Sequence, residues 1–132
     1  MTSDYGYLDM IYNQMCKNKR LMELLGNPKS AKERNEKIHR TITPLEYATT
    51  EKVNFLSIYF SSTTETDNDY VVRGFFMVDY YARNRGDMSE MLRVVREIMA
   101  DNDIRYQSSH AISSDTKGIY RWRDVYRPLL FN

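Results

Sequence analysis

The sequence predicts an α+β fold: one domain with a mixed or antiparallel β-sheet and packed helices, in the order α-(α)-β-β-α-β-β. Three observations predict it. Two strand-like runs flank an acidic polar loop between residues 53 and 82, a capped amphipathic helix follows, and two further strand-like runs meet at Asp115-Thr116-Lys117-Gly118. At 132 residues the chain has the size of a single domain, which buries roughly two-thirds of its unfolded surface and needs no staple.

The first helix is expected over residues 4–25, because Leu8, Ile11, Tyr12, Met15, Met22 and Leu25 fall on one helical stripe. Gly26 and Pro28 then stop it in the usual order. Ser30-Ala31-Lys32-Glu33 has capping-box spacing, so a short polar helix runs to about Lys37. Residues 38–50 read as an extended connector, since Pro44 disfavours helix at Thr43 and the flanking β-branched residues prefer strand.

Residues 53–60 form a strand with Leu56, Ile58 and Phe60 on one face and Phe55 and Tyr59 on the other. Residues 61–69 are polar and predict an exposed hairpin loop. The next strand spans residues 70–82, with Gly74 marking a bulge or a close backbone approach. Asp87-Met88-Ser89-Glu90 reads as a second capping box, followed by the stripe Met88, Met91, Leu92, Val95, Ile98 and Met99, a helix over about 88–101 that lies across the sheet. Residues 104–113 and 119–131 complete the pattern, and Pro128 implies an edge position or the end of regular pairing.

Composition narrows the function classes. Lys plus Arg total 19 and Asp plus Glu 18, so a net charge of +1 exerts no global pull toward nucleic acid or anionic lipid. No segment has the length of a transmembrane helix, and the N-terminus lacks the basic start and apolar run of a signal peptide. The single Cys16 excludes an internal disulfide and fits a reducing compartment. Eleven Tyr and eight Met suit both a core and a protein interface, and the strands carry apolar residues on both faces.

The side chains able to carry chemistry are scattered. His39 and His110 have no nearby His or Cys, so each reads as an ordinary hydrogen-bonded histidine, and no metal or cofactor is expected. Cys16 lies beside Lys17 without a base partner and reads as a structural or semi-exposed thiol. Glu65, Asp67 and Asp69 alternate along the first hairpin loop but lack the central Gly and terminal Glu of a calcium loop; a solvated acidic tip is the simpler reading. On a strand, Arg121, Arg123 and Arg127 share a face with Val125, while Tyr120, Trp122, Asp124 and Tyr126 take the other. That pattern serves either as a nucleic-acid face or as an aromatic core face backed by an exposed basic one, and the neutral net charge favours the second. The five glycines are isolated and no phosphate-binding or nucleophile-elbow motif occurs, so nothing points to an enzyme.

The order of elements, carried by particular segments, resembles a known family. These segments are the helix end Leu21-Met22-Glu23-Leu24-Leu25-Gly26, the strand Phe55-Leu56-Ser57-Ile58-Tyr59-Phe60 and the run Phe75-Phe76-Met77-Val78-Asp79-Tyr80. The helix Met91-Leu92-Arg93-Val94-Val95-Arg96-Glu97-Ile98 and the terminal Gly118-Ile119-Tyr120-Arg121-Trp122-Arg123 continue the pattern. In these the chain is similar to the small tail-completion or tail-terminator proteins, and related neck components, of long-tailed bacteriophages. The resemblance implies a virion protein made in the host cytoplasm, assembled as a homohexameric ring. Such a ring caps the tail-tube protein and joins the tail to a head-closure or connector protein, with DNA passing through the lumen without specific binding. Glu65, Asp67 and Asp69 would then lie on a loop contacting a neighbouring ring or the lumen. The alternatives are a head-closure component, a nucleic-acid-binding accessory domain using Arg121, Arg123 and Arg127, and a small enzyme on a ferredoxin-like fold.

Overall fold

The computed structural model describes residues 4–41, 47–61, 75–114 and 117–127. The chain opens with α1 (Asp4–Lys17), α2 (Lys19–Leu24) and α3 (Ala31–Lys37), followed by the two-residue β1 (Ile38–His39). Then come β2 (Phe55–Ser61), β3 (Phe75–Ala82), α4 (Arg85–Asp101), β4 (Arg105–Ile112) and β5 (Tyr120–Arg127). The five strands form one mixed sheet in the order β1-β2-β3-β5-β4, with β1 parallel to β2 and the other pairs antiparallel. This is the α+β class expected from the sequence, in one small domain.

The expected first helix is two. Asn18 adopts an extended conformation, and its side chain accepts from the Leu21 amide, so it caps α2 instead of continuing α1. Asparagine is unfavourable inside a helix and strong at an N-cap, which is why the chain breaks there. The break turns Leu21, Leu24 and Leu25 into the core while Met22 is half-buried. Gly26 stops α2 as expected: its φ is +90°, the Gly26 amide reaches the Glu23 carbonyl, and the Asn27 amide reaches the Met22 carbonyl. Those two bonds are a Schellman cap, which needs the left-handed conformation glycine adopts without strain. Ser30 caps α3 by accepting from the Glu33 amide, as the capping box predicts.

Helix α4 starts earlier than expected. Its N-cap is Asn84, whose side chain accepts from the Asp87 amide, so Asp87 is a first-turn residue and not the cap. Met88, Met91, Val95, Ile98 and Met99 are buried as the stripe demands, joined by Val94, and Leu92 is half-buried. Together α1, α2 and α4 cover one face of the sheet, where Ile38, Leu56, Ile58, Phe76, Val78, Tyr80, Ala82 and Tyr126 meet them in the main core. On the opposite face Val53, Phe55, Tyr81 and Ile119 form a smaller cluster with Tyr47 and Ala48, so β2 and β3 are apolar on both faces as the sequence suggests.

Strand β5 is internal, lying between β3 and β4, with pairing described as far as Arg127. The edge position inferred from Pro128 is therefore not the one β5 takes, and the end of regular pairing inferred from it falls outside the described residues. Helix α4 carries the chain from β3 to β4, and the β4–β5 hairpin folds β5 back into the gap between them. Composition explains the placement: β4 presents Arg105, Gln107, Ser108, Ser109 and His110, which tolerate an edge, whereas β5 supplies Trp122 and Tyr126 to the helix-covered face. The acidic hairpin loop, the expected strand start at residues 70–74 with the bulge or close approach inferred at Gly74, and Pro128 itself lie outside the described residues.

Candidate partner-binding surface

Alternation along β5 sends neighbouring side chains to opposite faces of the sheet, and each face receives one buried carboxylate with a dedicated arginine. On the helix-covered face Asp124 is fully buried. It accepts from Arg96 of α4 through Nε at 2.9 Å and Nη2 at 3.0 Å, from Ser109 Oγ at 2.6 Å, from Tyr80 at 3.0 Å and from Tyr126 at 3.2 Å. Ser109 Oγ also accepts from Arg96 Nη2 and from the Trp122 indole N–H. On the other face Asp79 is buried and accepts from Arg123 Nε at 2.7 Å and Nη2 at 3.2 Å and from the Tyr59 hydroxyl at 2.9 Å. Asp79 and Arg123 are direct cross-strand partners, so the β3–β5 register itself delivers this pair.

The hydrogen bonds and charge of Asp124 and Asp79 hold Arg96 and Arg123 above the ordinary guanidinium range. Burial, followed by the charge of the nearby groups, pushes the hydroxyls of Tyr59, Tyr80 and Tyr126 well up. Guanidiniums and phenols so displaced keep their protons at neutral pH and donate hydrogen bonds. What these two hubs accomplish is satisfaction of charges that would otherwise be costly to bury, while fixing α4 and β3 to β5.

A third polar knot ties the helices to the loop before β2. The buried Asn54 amide donates to the Leu24 carbonyl at 2.9 Å and to Asp87 Oδ2 at 3.0 Å, and its carbonyl accepts from the Arg83 amide at 2.8 Å. The bonds from Asn54 and Arg83 hold the Asp87 carboxyl below its usual range.

The arginines singled out in the sequence share the face opposite the helices, as the alternation requires, but they do not form a row of free cations. Arg123 belongs to Asp79. Arg121 lies over the Tyr81 ring at 5.0 Å and donates to its hydroxyl at 3.3 Å, while its Nε is buried without an acceptor. Arg127 is exposed and sits 5.7 Å from the Phe75 ring centroid. Glu65, Asp67 and Asp69 lie outside the described residues. His39 and His110 sit on β1 and β4, at opposite edges of the sheet. His110 Nε2 meets Ser108 Oγ at 3.1 Å, and the His39 ring is hydrogen-bonded to the Glu36 backbone, while its Nε2 is buried without a partner and the ring packs edge-on with Tyr47 and Phe55. Cys16 is half-buried against the main core. Among the described residues no three His, Cys, Asp or Glu side chains come together as a metal site, and no helix is long and apolar enough to cross a membrane.

The most open surface lies where sequence reasoning did not look. Strand β4 ends the sheet, and among the described residues it has one strand neighbour, β5. Helix α4 meets it through Arg96, which donates to Ser109 and lies over the Tyr106 ring. Between α4 and the β4–β5 hairpin lies a groove of about 620 Å³ lined by Met88, Leu92, Ala111 and Trp122 together with Arg85 and Arg121. Tyr106 and Tyr120, exposed by 50% and 42%, stand on the same side of the sheet and are the most exposed aromatic residues there. The signal that reveals this surface in the sequence is the run Ser108-Ser109-His110-Ala111-Ile112-Ser113-Ser114, strand-forming yet free of Asp, Glu, Lys and Arg. Exposed edges are usually blunted by charge, and this stretch is not.

Compared with known proteins, the chain matches no family model and no curated protein.

Proposed function

We propose that this chain is a structural joining protein: a subunit of a phage neck ring, a homohexamer that terminates the tail tube and connects it to the head-closure or connector protein while DNA passes through the lumen without specific binding. One observation carries the reading. The two buried carboxylates at the centre of the sheet are paired within the chain, whereas the open chemistry is a strand edge uncharged over residues 108–112, a groove whose largely apolar walls are flanked by Arg85 and Arg121, and two exposed tyrosines. Such a surface suits another protein better than a substrate, since aromatic side chains beside apolar pockets dominate protein contacts. The resemblance of the element order to tail-completion proteins supplies the setting.

Nucleic-acid binding through Arg121, Arg123 and Arg127 is the weaker reading, because two of the three are already engaged with Tyr81 and Asp79. Mixing purified protein with tail tubes and imaging the product by negative stain tests the proposal. Rings at tube ends are the expected result. Protein that never associates with tubes, while binding DNA in a salt-dependent way through those arginines, would replace it with the nucleic-acid reading.

A further inference from the structure

We propose that the open edge of β4 pairs with β4 of a second copy of this chain, antiparallel about a twofold axis through Ser109, each Tyr106 entering the other copy's groove between α4 and the β4–β5 hairpin. This goes beyond the ring reading, because a twofold contact closes on itself and makes a discrete dimer of the free protein.

The side-chain faces of β4 fix the register. Tyr106, Ser109 and Ala111 pair with Tyr126, Asp124 and Trp122 of β5 and so lie on the helix-covered side, while Ser108, His110 and Ile112 pair with Val125, Arg123 and Arg121 on the other. Gln107 is skipped in that ladder, a bulge between Tyr106 and Ser108. Antiparallel pairing of two such strands must keep faces matched and leave both bulges out. The arrangement that does so places Ser109 opposite Ser109, Ser108 opposite His110, Tyr106 opposite Ala111 and Arg105 opposite Ile112. No like charges face one another, and the smallest apolar side chain of the strand lies across from the largest.

That last pairing joins two otherwise separate features. Opposed residues of an antiparallel ladder stand about 5 Å apart at Cβ, so Tyr106 of one copy reaches over Ala111 of the other, into the groove walled by Leu92 and Trp122. Arg96, 5.5 Å from the Tyr106 ring, already holds it on the helix side. An exposed tyrosine and an open groove on one chain thereby fill each other twice across the axis. Backbone hydrogen bonds supply affinity and the tyrosine pocket supplies specificity, the usual division of labour in strand addition.

Sedimentation velocity of the full chain at high micromolar concentration tests this, together with Ala111→Lys, Tyr106→Ala and, in a Cys16→Ser background, Ser108→Cys combined with His110→Cys, which keeps Tyr106. Ala111, Tyr106 and His110 are exposed and Ser108 is half-buried, so the substitutions leave the fold intact, which circular dichroism verifies. The expected result is a dimer that Ala111→Lys and Tyr106→Ala convert to monomer, and a covalent dimer on mild oxidation of the double-cysteine variant but of neither single one. A monomeric wild type, an assembly of any size that both substitutions leave unchanged, or a double-cysteine variant that fails to cross-link would overturn it. Capping of tail tubes is a separate readout: protein that dimerises through β4 but never caps a tube contradicts the ring reading alone.

Discussion

The centre of the sheet and its β4 edge solve opposite problems with the same strand alternation. At the centre, charge is imported and fully consumed: Asp124 takes five hydrogen bonds from Arg96, Ser109, Tyr80 and Tyr126, and Asp79 takes three from Arg123 and Tyr59. At the edge, charge is withheld over residues 108–112, with a 50% exposed Tyr106 toward one end of β4 and an open groove at the other. The difference separates contacts that hold the fold from surface left open: the two hubs satisfy their own polar groups, His39 Nε2 and Arg121 Nε stay unpartnered inside, and the edge leaves strand and aromatic area outside.

The comparison breaks most severely at Asp124. Replacing it with Ala leaves the Arg96 guanidinium and two buried phenols without their acceptor, and stability is expected to fall by about 3–5 kcal/mol, read as a drop in the urea midpoint. A loss below about 1 kcal/mol, the worth of a single ordinary hydrogen bond, would show that the hub is not what fixes α4 to the sheet. Asp79→Ala is expected to cost less, about 1.5–3 kcal/mol, because it removes the acceptor of one arginine and one phenol, whereas Asp124 also serves a second phenol and the Ser109 hydroxyl. If the two losses prove equal, helix cover does not distinguish the faces. Asn54→Ala strands the Leu24 carbonyl and the Arg83 amide and is expected to cost about 1–3 kcal/mol, read in the same way.

His39 offers a pH-dependent test of the other face. Burial lowers its pKa, so the unfolded chain takes up the proton first as the solution is acidified. The contribution of His39 is fully present above the unfolded value of about 6.5, falls as pH drops below it, and levels off beneath the folded value. Urea titrations at pH 7 and pH 5 should therefore show a larger loss for the wild type than for His39→Phe, which keeps the aromatic contacts with Tyr47 and Phe55. Equal losses would remove His39 from the pH dependence. The smallest expected effect is at the edge: with the protein monomeric, Ala111→Lys and Tyr106→Ala should move stability by no more than about 0.5 kcal/mol. A severe loss there would make the edge part of the core after all.

Local features were legible in the sequence because they depend on near neighbours. The Ser30 cap, the stop at Gly26, the α4 stripe and the two-faced apolar pattern of β2 and β3 all follow from spacing alone. Asn18 was misread because the apolar stripe continues in phase across it, and only the local competition between capping and helix interior shows the break. The same competition moved the α4 cap from Asp87 to Asn84. Strand order was not legible: a hairpin makes β4 and β5 neighbours, but which of them lies beside β3 depends on Asp124 finding Arg96 and Arg123 finding Asp79, contacts between residues far apart in the chain. That Arg121, Arg123 and Arg127 share a face follows from strand alternation alone, while the pairing of Arg123 with Asp79 and the stacking of Arg121 on Tyr81 depend on register. The β4 edge was missed because exposure is a property of the assembled sheet, visible in sequence only as missing charge.

Amide hydrogen exchange on the assembled protein, compared with the same protein dissociated by dilution, tests most directly that the chain works through its edge and not its interior. The account predicts that the amides of residues 108–112 slow markedly on assembly while those of β3 and β5, already bonded on both sides, stay as they were. Unchanged exchange along β4, with slowing confined to other surfaces or to none, would contradict it.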